Sequence, residues 1–425
     1  MLEEVSLFRN RRDFFHFLLL AFTFFSLSIS LEFYNYKELT KFDSQLVHAT
    51  VLKQYEKTKL TKTGKTKTYQ VLKLKSKKGS LFYTTASKNL RDIKYKEVQL
   101  EVWAGKISFY EYMSSFYGFS KILQIHEDKS YKTQLNSYID SQHQNKDISL
   151  LYQALFSAKQ LPYELQVLFS NLGVSHLIAI SGFHLGVLSA ILFFLIKYPY
   201  KLLQNRYFPY RSYKIDSFII ISTVLLGYLL FLDSPPSLLR AFVMLVVGFM
   251  LYDRGIQIIS MQTLLLSVIL IVSLFPRLFL SIGLWLSVGG VYYIFLFLIY
   301  FKEKSKTWQF FILPFWVYLL MLPFSLVIFG NFSIYHPLSI IMTSLFTLFY
   351  PVAMLFHFLN YGNLMDGFLR ILLEFDTNAV TLSIENYYLY IYIGVSLLVL
   401  YKKSFLLALL LSSLVFFIYA VYNVT

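Results

Sequence analysis

Apolar runs long enough to cross a lipid bilayer dominate this sequence. A helix needs about 20 predominantly apolar residues to cross a hydrocarbon core about 30 Å thick. We predict ten such spans, at residues 14–31, 174–197, 216–232, 237–252, 258–275, 278–300, 308–329, 335–359, 386–401 and 403–422. Only 15% of the residues are charged, against about 25% in soluble domains. The predicted fold class is therefore a predominantly α-helical membrane protein with about ten transmembrane helices.

The charges beside the spans predict which side of the membrane each end faces. Arginines just before a first span favour a cytoplasmic N-terminus, and Arg9, Arg11 and Arg12 occupy that place. The basic loops at 197–214 and 302–306 then also lie in the cytoplasm. No small-residue cleavage site follows the first run, so we expect it to be retained as an anchor. After residue 360 the charges no longer agree with one topology.

Composition and pattern divide the chain into five regions. We predict an N-terminal arm and first transmembrane helix at 1–41, a basic β domain at 42–130, amphipathic interfacial helices at 131–171, a polytopic channel core at 172–359, and an interfacial helix with C-terminal transmembrane helices at 360–425. In the third region Leu151, Leu155 and Ala158 recur at helical spacing, and Pro162 suits the start of the next helix.

The segment that follows the first span alternates apolar and polar residues, which is typical of strands with one buried face. The alternation covers 46–55, 68–75, 80–86 and 97–104, with Gly64, Gly79 and Gly105 as turn residues. Four or five short strands in some 80 residues predict a small β-barrel of the OB type outside the membrane. A small sandwich is the alternative.

This β domain is strongly basic. Residues 42–132 hold 17 Lys, one Arg and eight acidic residues, a net charge of +10. Such a charge favours a polyanionic partner: nucleic acid, lipid headgroups or a surface polymer. A Lys-rich surface that is merely solvated explains the charge equally well.

The first cluster of polar residues at membrane depth is GVSHLIAISGFHLG, residues 173–186. Ionisable groups inside spans cost about 2.5–3.5 kcal/mol each and therefore mark function by default. In an unbroken helix His176 and His184 would be separated by about 80° around the axis. Ser181 and Gly182 lie between them and favour a break that exposes backbone amides to an anion. The alternative is that small residues allow close helix packing and that each His bonds a carbonyl.

The second cluster is LDSPPSLLRAFVM, residues 232–244. We predict that Asp233, Ser234 and Pro235 form a hairpin and that Ser234 or Ser237 caps the next helix. Arg240 lies one turn into that helix, and its guanidinium suits a phosphate. An ion pair between Arg240 and Asp233 that only fixes the hairpin is the alternative.

Several kinds of chemistry are not expected. The chain has no cysteine, which excludes disulfides, thiolate metal sites and Cys nucleophiles. It contains no Walker loop and no HExxH metal motif, so neither an NTPase nor a metal or cofactor is predicted. Ser181 and His184 imitate a nucleophile–base pair, but no orienting acid lies near them in sequence. An enzyme is therefore not predicted.

Together the two clusters resemble the signatures of the ComEC family of bacterial competence proteins. In that family a Gly-x-Ser-His run precedes an Ala-Ile-Ser-Gly-x-His run, and a Ser-Pro hairpin leads to an Arg at the head of a helix. FLSIGLWLSVGG, residues 279–290, is similar to a third signature. The resemblance covers about 150–350 well and extends loosely over the β domain. Many members also carry a metallo-β-lactamase-like domain, whose metal motif is absent from this sequence, so we expect a short form without nuclease activity.

The resemblance implies a channel that carries single-stranded DNA across the bacterial cytoplasmic membrane during natural transformation. The pore residues it implies are His176, Ser181, Gly182, His184, Asp233, Ser234, Pro235 and Arg240. In the outer domain it implies DNA contacts by Lys73, Lys75, Lys77, Lys78, Tyr83 and Trp103, with Tyr69 and Phe82 as further stacking candidates. The aromatic residues could equally fill the barrel core.

The resemblance also implies partners. These are single-stranded DNA, the lipid bilayer, a DNA receptor protein at the outer face, a cytoplasmic helicase or single-strand-binding protein, and a second copy of the chain. The alternative function is a polytopic exporter or permease for a small or lipid-linked substrate, with an outer domain that binds polyanions or glycans. That class predicts inverted repeats of broken helices, which the sequence does not display.

Overall fold

The computed structural model describes residues 10–60, 66–94, 96–126, 131–253, 259–375, 377 and 379–424. The helices are α1 (Arg11–Leu39), α2 (Phe109–Ser114), α3 (Tyr131–Ser141), α4 (Lys146–Ser157), α5 (Tyr163–Asn171), α6 (Ser175–Ile178), α7 (Gly182–Tyr207), α8 (Tyr213–Phe231), α9 (Pro236–Asp253), α10 (Met261–Leu274), α11 (Ile282–Tyr300), α12 (Lys306–Phe329), α13 (Leu338–Phe358), α14 (Asp366–Leu373), α15 (Asn386–Leu398) and α16 (Ser404–Tyr422). The strands are β1 (Gln45–Leu60), β2 (Thr66–Ser76), β3 (Leu81–Ala86), β4 (Glu97–Trp103), β5 (Phe116–Tyr117), β6 (Phe119–His126), β7 (Asn331–Phe332) and β8 (Val380–Thr381).

The chain forms two compact units. The first, here the sheet unit, comprises Asn10–Leu135 and Ile269–Ile282. The second, here the helical unit, comprises Asn136–Val268 and the chain from Gly283 onward. The sheet unit thus takes a short segment from the middle of the membrane region, which the sequence pattern did not indicate.

The sheet unit is built on six strands in the order β5-β3-β2-β1-β4-β6. The strand alternation predicted from the sequence is confirmed on β2, because Leu72 and Leu74 are fully buried and Lys73 and Lys75, which alternate with them, are half-exposed. Gly79 has a φ of 85° and turns the chain between β2 and β3, as expected. The predicted turn residue Gly64 lies outside the described residues.

The predicted closed barrel is not confirmed, because the sheet is open. Its two ends are β5 and β6, which are not paired with each other among the described residues. β5 holds only two residues and pairs in parallel with β3, whereas β6 pairs antiparallel with β4. A strand of two residues offers too few backbone groups to continue the ladder. Both end strands lie beyond the last predicted strand and were missed.

A charged pair anchors the middle segment within the sheet unit. Arg277, in a 3-10 turn at Pro276–Leu280, donates from Nη2 to a carboxylate oxygen of Glu32 on α1 at 2.6 Å. The same guanidinium lies over the ring of Tyr112 on α2, 4.6 Å from its centroid. Burial and multiple contacts make such a pair costly to break. These contacts explain why a segment far away in sequence belongs to this unit.

Membrane spans are confirmed as a class, though not in every detail. Among the described residues, eight helices are long and apolar enough to cross a membrane: α1, α7, α8, α9, α11, α12, α13 and α16. The predicted spans 258–275 and 386–401 correspond to α10 and α15, which are only 14 and 13 residues long. The predicted span 174–197 is divided between α6 and α7, in agreement with the break predicted at Ser181 and Gly182.

The amphipathic region upstream of the core is helical, as predicted. It forms α3, α4 and α5, and Pro162 immediately precedes α5. Leu151 and Leu155 of α4 are buried at 1% and 0% exposure. The interfacial helix predicted within 364–385 is shorter than expected and corresponds to α14.

Candidate functional site

The first polar cluster contains a broken helix. α6 ends at Ile178, Ala179 is extended with ψ of 127°, and α7 begins at Gly182 after the extended Ser181. The single span predicted for 174–197 is therefore interrupted, and the angle expected for His176 and His184 in one helix does not apply. The predicted break next to Ser181 and Gly182 is confirmed, and it leaves the first backbone amides of α7 without partners inside the helix.

His184 stabilises the start of α7 through its Nδ1 atom. The backbone N–H of Ser181 donates to this nitrogen at 3.1 Å, and the Ser181 hydroxyl lies at the same distance. Because Nδ1 accepts a hydrogen bond, the ring proton must be on Nε2. His184 is only 1% exposed, and its Nε2 atom has no hydrogen-bond partner among the described residues. The ring therefore presents an unpaired buried donor, which costs about 1–3 kcal/mol.

His176 has different contacts. Its Nδ1 atom donates to the carbonyl of Gly173 at 3.0 Å, and its Nε2 atom lies 3.4 Å from the hydroxyl of Thr343 on α13. Gly173 has a φ of 70°, and a Cβ there would lie 2.9 Å from the carbonyl oxygen of His336. Both facts require glycine at this turn. The turn thus brings His176 and His336 to the same stretch of backbone.

The second cluster forms the predicted hairpin, and its backbone is strained. Asp233 and Ser234 both have positive φ, of 61° and 53°, which costs about 1–3 kcal/mol for such residues. The carbonyl of Pro235 accepts the N–H of Leu238 at 3.0 Å, so the chain enters α9 directly. Ser237 does not cap α9 as predicted, since it lies inside the helix.

The hydroxyl of Ser237 instead joins the two clusters. It donates to the carbonyl of Ile180, in the break between α6 and α7, at 2.7 Å. Gly182 lies against the same helix: a Cβ at this position would be 3.0 Å from Cβ of Ala241 and 3.3 Å from Nη2 of Arg240. The start of α7 and the first turns of α9 therefore touch because position 182 has no side chain.

Arg240 connects this pair to the third signature. Its Nη1 atom donates to the carbonyl of Ser287 on α11 at 2.6 Å. This bond joins α9 to α11. Arg240 is 5% exposed, and its Nε atom has no partner among the described residues. A buried cation with an unused N–H is expensive unless an anion completes it.

Three segments that are far apart in sequence thus converge in the helical unit. Two of them supply a buried donor without an acceptor, Nε2 of His184 and Nε of Arg240. The start of α7 adds the positive end of a helix dipole close to Arg240. A buried N–H donor of either kind can bind a negatively charged oxygen, such as that of a phosphate.

Comparison with protein-family models gives one match, to the Competence protein family, over residues 156–423. This match covers more than half of the chain and includes all three converging segments. The chain belongs to the Competence protein family. Comparisons with curated proteins and with solved structures gave no match. The ComEC-type resemblance identified from the three signatures is thereby confirmed at the level of the family.

Two of the four lysines predicted to contact DNA are paired with carboxylates in this competence protein. Lys77 lies 3.3 Å from a carboxylate oxygen of Glu97, and Lys78 pairs with Glu38. Exposed pairs of this kind contribute about 0–1 kcal/mol, so a polyanion can displace them. Lys73 lies over the ring of Tyr83, 5.4 Å from its centroid.

The aromatic residues considered for base stacking differ in their exposure. Phe82 is 1% exposed and belongs to the sheet core, so its use in stacking is excluded in this fold. Trp103 is 42% exposed and is paired in register with Phe119, which is 68% exposed. Tyr117 lies next to Phe119, with ring centroids 5.5 Å apart. Tyr117 and Phe119 were missed because the two-residue β5 and the eight-residue β6 were not predicted.

A further polar cluster in the competence protein was also missed. His143, just after α3, hydrogen-bonds from Nδ1 to the carboxylate of Asp366 at 2.9 Å. Its Nε2 atom lies 3.0 Å from Nε2 of His357 on α13. His143 and His357 are 214 residues apart in sequence, so no local sequence motif predicts this cluster. No group of three or more metal-ligating side chains among the described residues, this cluster included, has a geometry that could hold a metal ion.

Proposed function

We propose that this competence protein forms the path by which single-stranded DNA crosses the bacterial cytoplasmic membrane during natural transformation. The observation that carries the proposal is the pair of buried, unpartnered donors on Arg240 and His184, at the point where three segments of the family region converge. A polyanion offers a succession of oxygen acceptors to such donors. Membership of the family supports a general role in competence. The buried donors support DNA transport as the specific role, because they can bind the phosphate oxygens of a strand.

The helical unit described here is the closed state of that path. Arg240 and His184 are 5% and 1% exposed, so a strand can pass only if α7 and α9 move apart. The contact that must open is the glycine-mediated one between Gly182 and Ala241, together with the bond from Ser237 to Ile180. Both are weak contacts between helices, and opening them exposes the two donors together.

DNA moves through this path from the outer face to the cytoplasm, and this movement needs a source of energy. With the N-terminus in the cytoplasm, the six-stranded sheet that follows α1 lies outside, where its basic surface and exposed aromatic edge receive DNA from an outer-face receptor protein. Potential alone opposes anion entry into a negative interior, at about 2.3 kcal/mol per charge per 100 mV. No Walker loop is present in the sequence. A cytoplasmic helicase or single-strand-binding protein, or a second ion, must therefore supply the work.

The test is an uptake assay in a naturally transformable host that lacks this gene and is complemented with variants. Labelled double-stranded DNA is added, and surface-bound and cytoplasmic label are measured separately. Arg240→Met removes the donors and keeps an unbranched apolar stem, so cytoplasmic label should fall at least tenfold while surface label is unchanged. Arg240→Lys keeps the positive charge but loses the forked N–H donors of the guanidinium, and it should retain more uptake than Arg240→Met. Normal uptake with Arg240→Met, at equal membrane abundance, would reject the proposal.

A further inference from the structure

Polar residues recur every seven positions along α13. They are His336, just before the helix, followed by Thr343, Tyr350 and His357. A spacing of seven residues advances by about 20° less than two full turns, so Thr343, Tyr350 and His357 lie near one face of the helix. These three extend about 21 Å along α13, and His336 lies in the turn before its first residue. We name these four residues the α13 file.

Each member of the α13 file is a histidine or contacts one. His336 lies against the backbone of Gly173, whose carbonyl is bonded to His176. Thr343 contacts His176, and the ring of Tyr350 lies 4.6 Å from that of His184, edge to face. Five of the eight histidines in the sequence, His143, His176, His184, His336 and His357, therefore follow this one line. Chains of histidine and acidic residues inside membranes are typical of proton relays.

The hydrogen bonds at one end of the α13 file require a proton that neutral rings do not supply. Nδ1 of His357 lies 2.7 Å from the carbonyl of Ala353, so that nitrogen must carry hydrogen. Nδ1 of His143 donates to the carboxylate of Asp366. Both Nε2 atoms are then acceptors, and yet they face each other at 3.0 Å. One additional proton, shared within the group of His143, His357 and Asp366, removes the conflict and leaves the group neutral overall.

The same situation recurs in the middle of the α13 file. His176 donates from Nδ1 to Gly173, so its Nε2 atom is an acceptor when the ring is neutral. The hydroxyl of Thr343 already donates to the carbonyl of Ser339 at 2.6 Å. Acceptor therefore faces acceptor across the 3.4 Å between Nε2 and the Thr343 oxygen. A proton placed on Nε2 of His176 would complete this bond, as it does between His143 and His357.

We propose that the α13 file is a proton pathway through the membrane. A proton enters at one end, each imidazole takes it on one nitrogen and releases a proton from the other, and His176, His184 and His143 beside the file provide the intermediate positions. No bond other than N–H and O–H is made or broken, and the electrochemical gradient drives net movement. The close packing favours protons over DNA, since Tyr350 and His357 are only 1% and 5% exposed.

The pathway would also supply energy for DNA movement, and this link rests on the proposed function. The histidines of the first cluster belong to both: His184 contacts the α13 file through Tyr350 and caps α7 through Ser181. Protonation of His184 on Nδ1 would remove the acceptor for the Ser181 amide and so loosen the start of α7, next to Gly182. A passing proton and the opening of α7 are thus connected by one ring.

The test uses the full-length protein in liposomes with a pH-sensitive dye inside. A potassium gradient with valinomycin sets the potential, and proton entry is recorded with and without single-stranded DNA outside. We expect entry several-fold faster than in protein-free vesicles. His357→Asn, which keeps one donor but cannot relay a proton, should reduce it at least fivefold. His48→Gln, a histidine of β1 outside the file, is the matched control and should leave entry unchanged.

Two results would overturn the pathway. One is proton entry equal to that of protein-free vesicles in both the presence and the absence of DNA. The other is equal entry with the original chain and with His357→Asn, at matched incorporation and thermal stability. DNA entry is measured in the same vesicles, so the two proposals fail separately: DNA entry that a protonophore leaves unchanged, with no proton flux, would refute the α13 file and leave the channel standing.

Discussion

Gly182 is the position where the described geometry makes its sharpest prediction. In the variant Gly182→Ala the new Cβ would lie 3.0 Å from Cβ of Ala241 and 3.3 Å from Nη2 of Arg240. Carbon atoms in contact prefer about 3.5–4.0 Å, so α7 and α9 must separate by about half an ångström. Forcing an extra methyl group into a packed contact costs about 1–3 kcal/mol.

Gly186, one turn further along α7, provides the matched control. No atom lies within 4 Å of a Cβ built there, so Gly186→Ala should gain up to about 1 kcal/mol from helix propensity. The two variants add the same methyl group to the same helix, and their unfolding free energies should differ by about 1–4 kcal/mol. A difference of 1.4 kcal/mol is tenfold in an equilibrium.

The assay is thermal unfolding of the purified protein in detergent, combined with transformation frequency in the complemented host. Gly182→Ala should unfold at a lower temperature than Gly186→Ala and should transform poorly, because Arg240 is displaced from Ser287. Equal melting temperatures and equal transformation by the two variants would refute the close approach of α7 and α9.

Three further predictions concern separate contacts. Ser237→Ala removes the bond to the carbonyl of Ile180 and should lower unfolding free energy by about 0.5–1.5 kcal/mol, measured by thermal unfolding; no loss would contradict the contact. The backbone N–H and hydroxyl of Ser108 hold the pKa of the Glu111 carboxyl below its usual value. The cap of α2 should therefore persist at neutral pH and be lost only as pH falls through that lowered pKa. Amide exchange of α2, corrected for intrinsic rates, checks this, and protection unchanged in strong acid would contradict it. Phe119→Leu keeps an apolar side chain but removes the ring. If one base stacks on Phe119, the variant should bind a short single-stranded oligonucleotide about 1–3 kcal/mol more weakly. Unchanged affinity in fluorescence anisotropy would exclude stacking.

Hydrophobic periodicity was sufficient for the architecture of this protein and insufficient for its details. Apolar run length placed the long spans correctly, because the bilayer imposes one minimum length on every crossing helix. Strand alternation placed β1 to β4, because one face of the sheet is buried and the other is not. The two-residue β5 has no pattern to detect.

The candidate site was partly predictable for a different reason. The residues of the first two clusters were identifiable because charged and imidazole groups are expensive at membrane depth. Their mutual contacts were not, since Ser237 bonds to Ile180 and Arg240 bonds to Ser287 across 57 and 47 residues. The seven-residue spacing from His336 to His357 was visible in the sequence, and a search for polar periodicity within spans would have found it.

The most direct test of the DNA path uses the absence of cysteine from the sequence. Ser181→Cys places a single thiol at the break before α7, and Leu195→Cys places one on the exposed face of the same helix. Single-stranded DNA that carries thiol-reactive groups is trapped part-way through uptake, and the crosslinked product is measured. The account predicts crosslinking at position 181 and none at position 195. Equal crosslinking at both positions, or none at position 181 while DNA is being taken up, would contradict it.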